Sequence, residues 1–224
     1  MNDSLVDVAE QRLRHDIVNS VFEGGAKLRV EELSRRYTMG ATPVREALSR
    51  LKTEGLVELS NNRGFRVPPL TLEDLIDIAV SRGIVESEAA MDAMLHKDEE
   101  WEINLISAME RLRRRGTADL ATPENHAAFF DAHHQFHAAM VAGSQLKRLL
   151  VVQAWLEQQQ SRYFRRLPAT APGWSAQFVA SHEDLLALAL GERDRADLFA
   201  SALRKHALLS TTTLGNGDVF GVRV

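Results

Sequence analysis

The 224-residue chain has no cysteine. Disulfide scaffolds, thiolate metal centres and cysteine nucleophiles are therefore excluded. No stretch approaches the ~18 consecutive apolar residues of a membrane helix. The N-terminal MNDSLVDVAEQRLRHD lacks the basic-then-apolar pattern of a secretory signal. The expectation is a cytoplasmic protein with no membrane contact. Internal repeats and low-complexity segments are also missing. So is a basic excess: 27 Lys/Arg stand against 31 Asp/Glu, a net −4 that taken alone argues against nucleic-acid binding. What is present, 45% apolar and 26% charged residues, is ordinary for a folded chain. At ~100–200 residues per domain, the length allows one large domain or two modest ones.

The charge is unevenly distributed. Residues 1–69 carry 11 basic and 10 acidic side chains, a net +1, while 70–224 carry 16 and 21, a net −5. Within 35–66, seven basic residues (Arg35, Arg36, Arg45, Arg50, Lys52, Arg63, Arg66) face three acidic ones (Glu46, Glu54, Glu58). A local +4 on a short segment of an acidic chain suits a surface that meets phosphates.

Leu13, Ile17 and Val21 recur at i, i+4 and i+8 and predict a first helix over 11–22, ended by Gly24-Gly25. A second, short helix covers 30–37 around Leu33. After a break at 38–41, Thr42 as N-cap and Pro43 at the first helical position open a third helix. Val44, Ala47, Leu48 and Leu51 form its inner stripe, and Gly55 stops it. Residues 56–59 and 65–67 read as short strands around the turn-rich Ser60-Asn61-Asn62-Arg63-Gly64. Three small helices and a hairpin spell a winged helix-turn-helix over 1–69. Pro68-Pro69 is a stiff joint. Beyond it, helices are expected near 71–95, 98–115, 123–142, 144–166, 175–190 and 192–213, with a Pro/Gly loop at 168–173 and no helical signal after Leu214. The fold class is mainly α: a winged helix-turn-helix with a small β-hairpin, then an antiparallel bundle of about six helices over 70–224.

On the third helix, Thr42, Arg45, Ser49 and Lys52 share the face opposite the apolar stripe. Such a helix can enter the major groove, where Arg bonds guanine O6/N7 in two places and Thr or Ser reach phosphates or base edges. Arg63 and Gly64 would bring the wing to the adjacent backbone. The segment LRVEELSRRYTMGATPVREALSRLKTEGLVELSNNRGFRV resembles the signature of GntR-superfamily transcriptional regulators. That resemblance implies DNA contact at Thr42, Pro43, Arg45 and Gly64. The chain departs from the pattern at Gly40-Ala41, where the family usually has Ser-Arg, so a base-reading arginine is missing. Arg35 or Arg36, at the end of the second helix, is a candidate for compensating phosphate contacts.

His133 and His137 lie one helical turn apart on one face, where a single ion can touch both. His182 and His206 each interrupt an apolar stripe on separate later helices. Taken singly, each reads as a core histidine bonded to a carbonyl. Four converging in one bundle suit Zn²⁺ or Ni²⁺ rather than oxygen-seeking Mg²⁺ or Ca²⁺. Metal affinity is expected to fall below about pH 6, as protons compete for imidazoles whose ordinary pKa is ~6.5. His15, His96 and His126 stand outside the cluster and read as surface residues. Residues 72–213 resemble the FCD effector domain of the FadR-type GntR branch, through Arg82 to Glu86, Phe136-His137 and the later histidines. The resemblance implies a divalent cation at His133, His137, His182 and His206, to which a small carboxylate effector coordinates. His133 stands where the family usually has aspartate. Arg82 either holds the effector's second carboxylate or forms an i, i+4 ion pair with Glu86. Arg162, Arg165 and Arg166 are further candidates, read as solvated.

The leading function is an effector-responsive regulator, read as a repressor, that binds a palindromic operator as a homodimer. The alternative is a metal-dependent hydrolase or lyase using the four histidines, although no general base is evident beside them: Asp131 points elsewhere and Glu183 is only a sequence neighbour of His182. A purely architectural DNA binder would leave a large helical domain without a task.

Overall fold

Ser4 starts the first helix. Its Oγ accepts from the Asp7 N–H (3.2 Å) while the Asp7 carboxylate accepts from the Ser4 N–H (3.1 Å), a reciprocal capping box. Helix α1 therefore spans Leu5–Val18, not 11–22, and buries Ala9, Leu13 and Ile17. Ser20 turns into the left-handed region (φ 58°), which ends the helical path and leaves Val21 48% exposed instead of extending the stripe. The computed structural model describes residues 4–60, 64–166 and 174–215, the side chains of 174 and 210–215 excepted. Arg63, the expected loop at 168–173 and the tail from 216 lie outside the described residues.

The chain divides into two units, Met1–Thr71 and Leu72–Val224. In the first, α1 is followed by β1 (Lys27–Leu28), α2 (Val30–Tyr37), α3 (Ala41–Thr53), β2 (Glu58–Ser60) and β3 (Gly64–Arg66). The strands form an antiparallel sheet ordered β1-β3-β2, with Leu28 opposite Phe65 and Leu59 opposite Phe65 on the other side. β1 has no counterpart in the sequence reading, because two residues carry no periodicity. Leu13, Ile17, Leu33, Val44, Leu48, Leu51, Leu56 and Val67 close one apolar core. Helix α3 begins two residues earlier than expected: Gly40 is its N-cap, which puts Thr42 and Pro43 at the second and third helical positions. Proline is still harmless there, since the first-turn N–H groups have no intrahelical partner. Thr42 is freed from capping and exposed.

The second unit contains α4 (Leu72–Leu95), α5 (Glu99–Gly116), α6 (Pro123–Val141), α7 (Lys147–Phe164), α8 (Trp174–Ala189) and α9 (Ala196–Gly215). Asp98 caps α5 by accepting from the Trp101 N–H (2.8 Å), and Thr122 caps α6 ahead of Pro123. Helix α4 packs along α9, α7 and α6, while α5 lies on α6 and α8. Gly116 permits that last approach: a Cβ there would stand 2.7 Å from Val179 Cγ2. Phe129, Phe130, Phe136, Tyr163, Phe164 and Phe199 fill the interior. No helix among the described residues is long and apolar enough to cross a membrane.

Helix α7 is inverted relative to an ordinary bundle helix. Gln153, Glu157, Gln160 and Ser161, at i, i+4, i+7 and i+8, are buried, whereas Val151 is 66% and Trp155 44% exposed. Buried polar groups are unfavourable unless they bond to each other or to a ligand.

Candidate functional site

On the first unit, the exposed face of α3 presents Ala41, Thr42, Arg45, Glu46 and Ser49 around one depression. A neighbouring cleft of about 310 Å³ is lined by Lys27, Arg29, Arg45, Gly64 and Phe65, joining α3 to the sheet. Most basic side chains here are already engaged. Arg50 bonds Asp7, Glu10 and Glu46; Arg36 bonds Asp16; Arg66 bonds Glu58; Arg29 bonds Glu32. Arg45 and Lys52 have no acidic partner among the described residues and remain available for an external anion. Arg35 donates only to the Glu31 carbonyl of its own helix (3.3 Å), and Ser49 Oγ to the Arg45 carbonyl (3.0 Å).

In the second unit, α6 supplies His133 and His137, α8 His182 and α9 His206. One nitrogen from each lies within 4.8 Å of the other three. Nitrogens ~2.1 Å from one ion stand about 3.4 Å apart in a tetrahedral site and about 4.2 Å apart only when trans, so the cluster is wider than a loaded site and the rings would close in on an ion. The segment between His182 and His206 includes a 3₁₀ turn at Arg193–Arg195, yet α9 still delivers His206 to the group. His182 Nδ1 donates to the Phe178 carbonyl (2.6 Å), which leaves its buried Nε2 as an acceptor without a partner. That is how a second hydrogen bond fixes the tautomer of a metal-binding histidine. His133 Nδ1 and both ring nitrogens of His137 are likewise buried and unbonded. Three buried imidazoles with unbonded nitrogens, plus His206 beside them, fit a soft-to-borderline divalent ion.

Burial, reinforced by the repulsion that protonated His137 and His182 rings would exert, holds His133 well below the ordinary imidazole pKa. Burial and His206 do the same for His182, and burial lowers His137 against the pull of Glu86. His206 is pushed down to about 3 by burial, then by His137 and Arg82. All four are neutral at pH 7, as ligation requires. With these pKa values lowered, protons compete with an ion at a lower pH than ordinary imidazoles would allow. The stability response runs the other way round. Each folded pKa lies below its unfolded value of ~6.5, so the unfolded chain takes up more protons as pH falls, and stability held above pH 6.5 is progressively lost below it. Metal-free protein should therefore melt at a lower temperature at pH 5 than at pH 7, and His133→Gln should flatten that slope. A melting temperature constant between pH 7 and 5 would contradict it.

Around the histidines lies a polar wall. Glu86 Oε1 accepts from Arg82 Nε (3.0 Å) and Nη2 (2.5 Å), so of the two roles open to Arg82 the structure contains the ion pair. Burial opposes ionisation of Glu86, but the Arg82 guanidinium, with the His137 ring beside it, outweighs it, and its carboxyl stays well below the usual range. Glu86 Oε2 stands 3.5 Å from His137 Nδ1. Gln153 Nε2 donates to both Glu86 Oε1 (3.2 Å) and Glu157 Oε2 (2.8 Å). The sequence reading missed Glu157 and Gln153, because polar residues at helical spacing ordinarily mark a solvated face. For the same reason Arg162 was expected in solvent, whereas it is 2% exposed, inside α7's polar face. Arg165 is also largely buried, donating to the Ala127 carbonyl (2.7 Å) and to exposed Asp131. His134, outside the cluster, is held by Ser161 Oγ (2.9 Å). His126, expected at the surface, is half-buried against the Phe130 ring, while His15 and His96 are exposed.

A helix-turn-helix with a three-stranded wing, followed by a helical unit with a polar interior, is the arrangement of a transcriptional regulator. Residues 5–67 match the bacterial regulatory proteins of the gntR family, and residues 77–208 match the FCD domain. The HTH-type transcriptional regulator BphR of Paraburkholderia xenovorans is 35% identical over 170 residues, 74% of this chain and 68% of that protein. The HTH-type transcriptional repressor GlaR of Escherichia coli is 34% identical over 152 residues, 67% and 68%. The fold is also that of E. coli McbR/YncC, with a TM-score of 0.77 at 20% identity, covering 96% of this chain and 100% of that one. The chain belongs to the GntR family and is a DNA-binding transcriptional regulator with an FCD effector domain. The hydrolase or lyase alternative is overturned, since the matched families and relatives are regulators. Glu183, its nearest candidate base in sequence, is half-exposed and paired with Arg113.

Proposed function

We propose that this regulator is a repressor whose DNA affinity is set by a small carboxylate coordinated to a divalent ion, Zn²⁺ or Ni²⁺, at His133, His137, His182 and His206. The observation that carries this reading is the convergence of four histidine nitrogens, three of the rings being fully buried with unbonded nitrogens. When bound, the ion supplies positive charge and a coordination position for a carboxylate oxygen. The protein's own contribution is to hold neutral imidazoles from α6, α8 and α9 in one place, with His182 oriented by the Phe178 carbonyl. The effector acts only by favouring one conformation over another, so it must bind the two with different affinity. A repressor role agrees with the name of GlaR. The test is a gel shift on operator fragments selected from genomic DNA, with metal-loaded protein and a panel of short carboxylates. DNA binding indifferent to every carboxylate, and to chelator, would overturn the reading.

In this proposal residues 1–69 read DNA through Thr42, Pro43, Arg45, Ser49, Lys52 and Gly64, with Arg35 and Arg63 on phosphates. Residues 70–224 bind effector and dimerise, so that two recognition helices meet a palindromic operator. A row on α4 (Leu72, Ile76, Val80, Ile84), 38–53% exposed, adjoins exposed Val151, Val152 and Trp155 on α7. Two adjacent helices with apolar outer faces suit a second copy of the chain. Sedimentation at micromolar concentration should give a dimer, and Ile84→Glu with Val151→Glu should give monomers. A wild-type monomer would count against it.

A further inference from the structure

We infer that Glu157 selects the effector, its carboxyl donating a hydrogen bond to a second oxygen of the metal-bound carboxylate, whether hydroxyl, oxo or carboxylate. The inference rests on the preceding reading that a small carboxylate binds at the histidine centre. It begins from the inversion of α7, whose polar side faces inward beside α4. Glu157 is 8% exposed, and its Oε1 is buried without a hydrogen-bond partner. Its other oxygen, Oε2, accepts from Gln153, and the same amide nitrogen reaches Glu86, which stands against His137. Glu157 is thus tied through one amide and one carboxylate to the histidine cluster.

No cation among the described residues lies within ion-pair distance of Glu157, because Arg82 is engaged by Glu86. Burial pushes its carboxyl up to about 8, opposed by the charge of Arg82 and reinforced by that of Glu86. It therefore carries a proton at neutral pH. Oε2 receives the Gln153 N–H, so the proton belongs on Oε1, which makes the unpartnered atom a donor. A buried donor without an acceptor is unfavourable, and a ligand oxygen would satisfy it. The ligand class is a short hydroxy, oxo or dicarboxylic acid rather than a simple fatty acid.

The experiment is calorimetric titration of zinc-loaded protein with propionate, lactate, pyruvate and malonate. Wild type should bind at least one oxygen-bearing acid about tenfold or more tighter than propionate. Glu157→Leu should shrink that ratio below about threefold with propionate affinity nearly unchanged, while Glu157→Gln, which keeps an uncharged donor, should retain most of it. A ratio that survives in Glu157→Leu, or is lost in Glu157→Gln, would overturn the inference and leave the metal–carboxylate reading standing. If none of the four acids binds, both readings fail. Infrared difference spectroscopy reads the same bond without the leucine variant. Wild type should show a protonated-carboxyl band absent in Glu157→Gln that shifts on adding the preferred acid; an absent or unmoved band refutes the assignment.

Discussion

Stripping the metal should lower the melting temperature of this regulator by about 10 °C. A ligand that binds only the folded state stabilises by mass action, about 4 kcal/mol at a thousandfold excess over its Kd. For a chain of this size each kcal/mol moves the midpoint by ~2–4 °C. Protein purified without chelator should carry about one divalent ion per chain by elemental analysis, and EDTA should produce the drop. His182→Ala should show the lowered midpoint from the start and no further response to EDTA, which separates ion loss from the small packing defect. His133 discriminates among ions. His133→Asp should keep a metal but shift preference towards harder ions, and His133→Ala should weaken binding. Stripped protein should still bind DNA while losing its response to carboxylates. Protein that carries no ion and takes none up on titration would end the metal reading, and the histidines would be ordinary core residues.

Arg45→Ala should abolish selective operator binding. A bidentate guanine contact is worth ~1–3 kcal/mol, and the proposed dimer would make it twice, so the expected loss is roughly 30-fold to 10⁴-fold. The structure supplies an internal control. Arg50, on the same helix, is occupied by Asp7, Glu10 and Glu46, so Arg50→Ala should leave DNA affinity nearly unchanged. Lys52 has no such partners, and its removal should weaken binding to all sequences alike and reduce the salt dependence. Because Ala41 stands where the family usually has arginine, an arginine contact from that position is absent and Arg45 is expected to carry more of the discrimination. Unchanged affinity and selectivity in Arg45→Ala, measured by gel shift against operator and scrambled DNA, would show that it is not a reader.

What the sequence by itself determined was whatever depends on neighbours along the chain. The stripe Val44, Ala47, Leu48, Leu51 marked α3, and the i, i+4 pair His133 and His137 marked a shared helix face, because helical period is a local property. The breaks in two later apolar stripes marked His182 and His206, and resemblance tied them to one ion and an effector role. The limits of local signals are visible at α1, where the Ser4–Asp7 capping box and the left-handed Ser20 outweighed an apolar period that pointed to Val21. Only tertiary structure decided what depends on partners distant in sequence. It brought nitrogens from α6, α8 and α9 within 4.8 Å, engaged Arg50 while leaving Arg45 without an acidic partner among the described residues, and joined Glu86 to Glu157 through Gln153. It also turned α7 inside out, burying Glu157 and Arg162 and exposing Val151 and Trp155. A one-dimensional pattern gives the angle between a helix's two faces but not which face meets the core. That choice is made by the packing free energy of the whole bundle, including whatever ligand the buried polar groups would satisfy.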